Sequence, residues 1–499
     1  MNRNRKMKSN SLTLLITLTL LVFGGACVDN AMEIRQNMSV RYEEDGITAS
    51  GLVTSPGVVN QYVTYGDKSA LFQNLSATPA FTSGSNRNPN VDVQVTSAQQ
   101  TIDGFGYTLT QGSAYVMMTS LTTSQRTALL TELFHPTNGI GTSFIRIGIG
   151  ATDLSTSVYT YNDLTSGTDV TMSKFSLNGP DLDYLVPVLK EIVASVPSIK
   201  IIATPWTAPA WMKINNALSN GSLKPEYYDA YALYFVKYLQ AMQSHGITIH
   251  AVTPQNEPEH CCNNPAMLMT STEQTNFILK LAPALTNAGF ATKIIAYDHN
   301  CDNTQYPIDV LNGPAGQYVD GAAFHLYAGN ISALSTVHNA TSKNVYFTEQ
   351  YTGSSGSFLG DLGWHMQNVM IGGTNNWAKV ALEWNLANDP TYGPHTNGGC
   401  TTCLGAVTVG SGTVTRNVSY YIVAHMSKFV RPGALHVSTT SGASSLFVSG
   451  FINDTANGNA KVLVAYNNSQ RDQAFNIRYN GQIAPIVLKK KSVGTYVWY

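Results

Sequence analysis

Two glutamates in this chain could act together. Glu257 lies in Asn256-Glu257-Pro258, directly after the β-rich run Thr248–Pro254, and Glu349 follows the run Asn344–Thr348 in Tyr346-Phe347-Thr348-Glu349-Gln350. Opposed carboxyl groups are the working parts of glycosidic-bond hydrolysis. One protonates the leaving oxygen, and the other attacks the anomeric carbon or activates water. The Asn can bond a sugar hydroxyl, and the Pro stiffens the turn that aims Glu257. An isolated Glu at a strand end is more often salt-bridged or solvent-facing, so the argument rests on the pair and its surroundings.

Those surroundings are polar and aromatic. The residues that end successive β-rich runs are Gln111, Arg146, Trp206, Asn256 with Glu257, His299, His325 with Tyr327, Glu349 and Trp384. Trp206 and Trp384 suit core packing or, beside carboxylates, platforms for the apolar face of a pyranose. Arg146 is either a clamp that holds a carboxylate or a direct contact to the nucleophile. His325 and Tyr327 alternate with Leu326, so both point to one face, as a strand requires. A satisfied core pair is their other reading.

The positioning elements follow from the pattern. The β-rich runs are Ile102–Thr110, Ser143–Ile149, Lys200–Thr204, Thr248–Pro254, Lys293–Tyr297, Gly321–Tyr327, Asn344–Thr348 and Lys379–Trp384. Between them lie helical patterns, clearest at Asp181–Ala194, Pro225–His245 and Thr272–Ala288. Pro225 fits a first helical turn, and Gly246 closes the end. Eight strand–helix repeats predict an α/β fold, a (β/α)8 TIM barrel whose catalytic groups come from the C-terminal strand ends. A doubly wound open sheet is the alternative, weakened because no Gly-rich phosphate loop follows the first strand. The flanks read as β: Tyr62–Tyr65 and Val91–Val95 before the barrel, then Ser445–Phe451, Lys461–Tyr466, Ala474–Tyr479 and Ser492–Tyr499 after it. Both ends are expected to build one β-sandwich, from 56–100 and 431–499, beside a barrel at 101–430.

Composition narrows the class. Among 499 residues, Lys+Arg 29 balance Asp+Glu 30 and only 12% are charged, against roughly 25% in an average soluble protein. That argues against a nucleic-acid partner, which calls for a basic stripe. The 26 Tyr, 17 Phe and 6 Trp exclude a disordered chain. Arg3, Arg5, Lys6 and Lys8 precede the apolar run Leu12–Phe23 and the small residues Gly24-Gly25-Ala26, so 1–27 reads as a secretion signal and 28–55 as a linker. Cys27 after Gly25-Ala26 resembles a bacterial lipoprotein processing site, although Gly24 stands where Leu is preferred. Plain cleavage and a lipidated, membrane-anchored Cys27 both fit. Either way the mature chain is expected to be exported: periplasmic, at the cell surface or extracellular. Disulfides are the default for the other cysteines. Cys400 and Cys403 could close a small loop, and Cys261 or Cys262 could reach Cys301. A zinc reading draws on His260 and His299 beside these cysteines, but the spacings match no familiar pattern.

The motifs in order resemble glycoside hydrolase family 30, the glucosylceramidase-like retaining enzymes. They are Thr101-Ile102-Asp103-Gly104-Phe105-Gly106, Ile145-Arg146-Ile147-Gly148 with Asp153 and Tyr159-Thr160-Tyr161, and Pro205-Trp206 with Pro209-Ala210-Trp211-Met212-Lys213. Pro254-Gln255-Asn256-Glu257-Pro258, His325-Leu326-Tyr327, Thr348-Glu349-Gln350 and Trp384-Asn385-Leu386-Ala387 complete the series. The resemblance implies Glu257 as acid/base, Glu349 as nucleophile, Asn256 on the sugar 2-hydroxyl, and Trp206, His325, Tyr327 and Trp384 around the sugar being cleaved. It implies no metal and no organic cofactor. The segment Asn385–Gly405, with Gly398-Gly399-Cys400-Thr401-Thr402-Cys403, resembles the branch that cleaves β-1,6-glucan. Gln111 in place of a sugar-contacting Asp, and Leu326 in place of a Trp, depart from the lysosomal glucosylceramidase pattern. Glucosylceramidase or exo-β-glucosidase activity is the competing enzymatic reading. A glycan-binding protein without turnover is the non-enzymatic one.

Overall fold

All eight β-rich runs form strands, and the strands close on themselves. In order they are Gly104–Thr108, Phe144–Gly148, Lys200–Thr204, Ala251–Val252, Lys293–Cys301, Val319–Gly329, Asn344–Glu349 and Ala378–Asn385, and the eighth pairs with the first and the seventh. Every pairing is parallel. The computed structural model describes residues 57–177 and 179–499; the expected signal, Cys27 and the linker lie outside them. No helix of the described residues is long and apolar enough to cross a membrane.

The barrel is filled in storeys because side chains alternate along a strand. Phe144, Ile202, Ala251, Ile295, Ala323, Tyr346, Val380 and Leu382 form an apolar interior cluster. Their neighbours Ile145, Ala203, Val252, Phe324 and Phe347 face the surrounding helices, in the main core. Two residues further along, the interior face changes character to Arg146, Thr204, Thr253, His325, Thr348 and Trp384. The site therefore sits one storey above a hydrophobic floor.

The helices begin and end where local chemistry permits. Ser271–Asn287 starts with a capping box between Thr270 and Glu273. Tyr228–Ser244 follows a 3-10 turn opened by Pro225, and Gly246 with φ 78° lets the chain reverse after it.

The two chain ends build a nine-stranded sheet in the order Gln73–Leu75, Asn60–Tyr65, Ser492–Trp498, Lys461–Asn467, Leu446–Ile452, Leu435–Ser441, Asn90–Thr101, Gln473–Tyr479, Gln482–Leu488. It curls over a core of its own, from period-2 pairs such as Val91 and Val93, Leu463 and Ala465, Phe475 and Ile477, and Tyr496 and Trp498. A TIM barrel with an attached β-sandwich is thus the architecture. The strands Gln73–Leu75, Leu435–Ser441 and Gln482–Leu488 lie outside the runs read as β; Pro485 and the Ser/Thr-rich Ser438-Thr439-Thr440-Ser441 mask the pattern of the last two.

His425, on the helix Val418–Ser427, ties the barrel to this sheet. Its ring nitrogens lie 2.9 Å from Thr495 Oγ1 and 2.8 Å from Thr64 Oγ1. Burial pushes its pKa down to about 3, and burial likewise holds His436 at about 4. Both are therefore neutral when folded, while the unfolded chain takes up protons below about pH 6.5. Their contribution is complete above that pH and is lost as pH falls through the window towards 4, by up to about 1.4 kcal/mol per pH unit for each. Denaturant melts between pH 7 and 4 test this: His425→Gln should be destabilised at pH 7 by about 1–3 kcal/mol yet lose less stability per pH unit than the unsubstituted protein.

Candidate active site

The polar storey converges on one buried carboxylate that the strand pattern does not place there. Strand five should turn Tyr297 inward, two residues after Ile295. Instead its pairing with strand six shifts register between Tyr297 and His299, and Tyr297 and Asp298 adopt φ 71° and 67°. The bulge sends Tyr297 into the helical layer and aims Asp298 into the barrel, as bulges beside active sites do. Asp298 is wholly buried and accepts from Arg146 Nη2 (3.0 Å), Thr204 Oγ1 (3.0 Å), Thr253 Oγ1 (2.9 Å) and Thr348 Oγ1 (2.7 Å). Burial opposes its charge, but Arg146, His325 and Thr348 outweigh that and hold it far below the usual carboxylate range.

Arg146 distributes this anchor to the glutamate of strand seven. Its side chain is fully buried; Nη1 donates to Glu349 Oε2 at 2.5 Å, and Nη2 donates to Asn256 Oδ1 at 2.5 Å as well as to Asp298. Tyr327 Oη–H donates to the other Glu349 oxygen at 3.0 Å. A second register shift, between Phe347 and Glu349, turns Glu349 inward beside Thr348. Glu257 is set by backbone: its N–H donates to the Asp298 carbonyl at 3.0 Å and its φ is 45°, a conformation that costs a non-glycine residue of order 1–3 kcal/mol.

His325 lies between the acids. Nδ1 is 3.2 Å from Glu257 Oε1 and 3.8 Å from Glu349 Oε1, and Nε2 is 3.2 Å from Asp298 Oδ1. Burial opposes protonation of the ring, but Glu349 and the bonds to Asp298 and Glu257 raise its pKa to about 9. An oxygen of Glu257 and one of Glu349 come within 4.8 Å of each other and of the imidazole. Groups this close titrate as a pair. Burial raises Glu349 in spite of His325 and Arg146, whereas the His325 bond outweighs burial at Glu257 and lowers it.

Above this storey is an open cleft of about 300 Å³ with two unlike halves. One is aromatic: the Trp206 and Trp384 rings lie 5.6 Å apart, with the Arg146 guanidinium 4.9 Å from the Trp206 ring. Asp153 and the Cys400–Cys403 disulfide close that half. The loop is pinned on both sides, Cys400 N–H donating to Asp153 Oδ2 at 3.3 Å and Cys403 pairing with Gly353 past strand seven. The other half is polar, lined by His260, Asn263, His299 and Asn300, while Tyr327 and Tyr351 stand at the mouth with ring centroids 5.6 Å apart.

Of the residues singled out from the sequence, Trp206, Asn256, Glu257, His299, Tyr327, Glu349, Trp384, Cys400 and Cys403 line the cleft, and Arg146 and His325 lie beneath it. Gln111 is not among the residues that line it. It opens the helix Gln111–Ser120, and its Oε1 accepts from the Thr156 N–H at 2.8 Å. Asp153 instead brings a carboxyl to the cleft, with a pKa that burial, then Glu349, pushes up to about 7. The bridge from Cys262 to Cys301 does not form either. Cys261 and Cys262 are joined to each other on a loop, Cys262 exposed, whereas Cys301 is a free thiol packed in the core. With both pairs bonded, no thiolate of theirs is left for zinc. Asp298 and Tyr351 escaped sequence reasoning, and Asp153 enters it only as part of a motif, with no role at the site. Asp153 and Tyr351 carried a readable signal, since both fall just past barrel strands.

The family described as the glycosyl hydrolase family 30 TIM-barrel domain matches residues 102–430. An endo-1,6-beta-D-glucanase of Neurospora crassa is 38% identical over 365 residues, 70% of this chain and 74% of that one. The lysosomal acid glucosylceramidase of Mus musculus is 28% identical over 373 residues, 69% of this chain and 71% of its own. A solved endo-beta1,6-glucanase superposes with a TM-score of 0.82 at 36% identity, covering 89% of this chain and 99% of that one. Retaining enzymes hold their carboxyls roughly 5–5.5 Å apart and inverting ones roughly 6.5–9.5 Å; with a pair in the close class and a match spanning all eight barrel strands, the chain belongs to glycosyl hydrolase family 30.

Proposed function

We propose that this chain is a retaining endo-β-1,6-glucanase in which Glu349 is the nucleophile and Glu257 the acid/base. The close approach of the two carboxyls carries the reading, because it leaves no room for the water an inverting enzyme places between them. Glu349 attacks the anomeric carbon while Glu257 protonates the leaving oxygen; Glu257 then deprotonates the water that releases the sugar. Arg146 and Tyr327 donate to both Glu349 oxygens and so favour its ionised form. Asn256 reaches a hydroxyl of the bound sugar, Trp206 and Trp384 stack on its apolar face, and Asp153 bonds its hydroxyls at that end. No metal or organic cofactor takes part in the proposed steps.

The preference for β-1,6-glucan over a lipid-linked glucoside has two supports. The endo-1,6-glucanase relatives are more similar to the chain than the glucosylceramidase is, and the cleft stays open beyond the catalytic pair, as an internal cut in a polymer requires. The basic, apolar N-terminus supports action outside the cytoplasm, with Cys27 as the point of membrane anchorage if it is lipidated.

Azide separates the two glutamates. With an activated aryl β-glycoside, Glu257→Ala should give a β-glycosyl azide and Glu349→Ala an α-glycosyl azide, each variant losing at least about 100-fold in turnover without azide; NMR of the products reads the configuration. Exchanged products would reverse the roles. On linear β-1,6-glucan the protein should release a ladder of β-1,6-linked oligosaccharides, absent with Glu349→Ala. Glucose released only from glucosylceramide or an aryl glucoside would favour the lysosomal-type activity, and no turnover on any of these would favour a glycan-binding protein.

A further inference from the structure

We propose that His325 is a permanent imidazolium, kept charged by Asp298, and that its charge holds the buried cluster neutral both before and after the sugar is attached to Glu349. The inference rests on Glu257 and Glu349 having the roles given above.

Geometry supplies the first step. An imidazole with a carboxylate oxygen at each nitrogen must donate from both, unless one of the acids carries the proton instead. At Nε2 that exception is closed, since Asp298 already accepts from Arg146, Thr204, Thr253 and Thr348 and has every reason to stay ionised. At Nδ1 the ring faces Glu257 Oε1 at 3.2 Å with Glu349 Oε1 behind it at 3.8 Å. Three acids thus surround the ring. The nearby titratable groups are Arg146, paired to Asp298 and Glu349; Tyr327, its ring edge-on at 6.1 Å; His299, which burial keeps neutral with a pKa of about 4; and Asp153. Arg146 alone cannot balance two buried anions.

The second step is charge accounting through the reaction. In the resting site Asp298 is an anion, Arg146 and His325 are cations, and Glu257 and Glu349 share one proton and one negative charge; the form that reacts has the charge on Glu349 and the proton on Glu257, on the oxygen turned away from His325. When the sugar bonds to Glu349, that anion disappears into an ester, and the proton of Glu257 leaves with the departing hydroxyl. Glu257 is then the second anion, and the Nδ1–H of His325 is already in place to donate to it. Water attack returns a proton to Glu257 and the negative charge to Glu349. The five buried groups are neutral at both stages, so neither step creates an unbalanced charge among side chains buried at the floor of the cleft. A neutral His325 would leave a net negative cluster throughout, raising both glutamate pKa values and making Glu257 a weaker acid. His325 and Asp298 are positioning residues here; neither needs to touch the reacting atoms.

Nitrogen-15 NMR of the histidine-labelled protein, with His325→Gln to assign the signal, tests the charge directly. Both ring nitrogens of His325 should remain protonated to about pH 8, and Asp298→Asn should lower the pH at which the ring titrates. A neutral ring at pH 7 in the unsubstituted protein would overturn the proposal. In kinetics, His325→Gln keeps a donor but not the charge: kcat/KM should fall by about 100-fold, and both limbs of its pH profile should move to higher pH. A lower profile with unmoved limbs would mean a purely structural role and would equally overturn it. The NMR arm needs no turnover, so it stands or falls separately from the assignment of the two glutamates, which the azide products decide. If His325→Gln does not fold, the Asp298→Asn comparison identifies the ring signal.

Discussion

A guanidinium with no exposed surface constrains the whole top of this barrel. Taking Arg146 out of water costs several kcal/mol, which only well-placed acceptors can offset. Asp298, Glu349 and Asn256 supply them, from strand five, strand seven and the loop after strand four. Asp298 in turn needs more than one partner, and Thr204, Thr253 and Thr348 bring in strands three, four and seven. His325 adds strand six. Six of the eight strands are therefore tied at one level by a single polar network. Removing either member of the central ion pair would strand the other, at a cost of about 3–5 kcal/mol, so the network that sets the chemistry also holds the barrel in register.

How much of this the sequence carried depends on whether strict alternation holds. It holds for strands two, three and six, so Arg146, Trp206, His325 and Tyr327 could be placed at the site by counting in twos from hydrophobic interior residues. The arrangement fails to follow from counting at strand five, where one extra residue swaps Tyr297 and Asp298 between the two faces of the wall. No local composition announces that bulge: Ala296-Tyr297-Asp298-His299 contains no glycine, and two residues take positive φ because the network holds them there. Reading strand five as regular puts His299 at its end and misses the group on which Arg146 and His325 depend. Gln111 departs from simple counting for a different reason. It follows the first strand directly, but Thr110 caps a helix there, and the first helical turn carries the side chain to the Thr156 loop. The cysteines show the limit of spacing arguments. Cys400 and Cys403 are close enough in sequence to be joined by their own turn, whereas Cys262 and Cys301 are separated by a difference in burial that spacing does not encode.

The positive φ values at Glu257, Tyr297 and Asp298 fall on the two segments that meet at one backbone bond, from Glu257 N–H to the Asp298 carbonyl. Each such conformation costs free energy that an unconstrained chain would release by relaxing. Four side-chain donors on Asp298 and the ion pair with Arg146 keep the bulge from doing so. The position of Glu257 is then tied to strand five through that bond, although the residue itself lies on the loop beyond the two-residue strand Ala251–Val252, whereas Glu349 ends a six-residue strand.

This separates what determines the reaction from what determines the substrate. The network is built from strand residues pointing into the barrel, and it needs nothing from the loops beyond Asn256 and Glu257. Much of the cleft wall is loop: Asp153, His260, Asn263, Tyr351 and the Cys400–Cys403 turn, with His299, Asn300 and Tyr327 on strands five and six. Asp153 aside, whose carboxyl is coupled to Glu349, those walls can change without altering the charge balance beneath, so one catalytic floor can serve sugars attached to quite different leaving groups. Similarity to both a glucanase and a glucosylceramidase is what such a division produces. In this chain the disulfide turn reaches from the loop after strand two to the strand past Glu349, narrowing the aromatic half around one sugar while the histidine-lined half stays open. A closed half that grips one residue and an open half that accepts the rest of a chain suit a polymer cut at an internal bond.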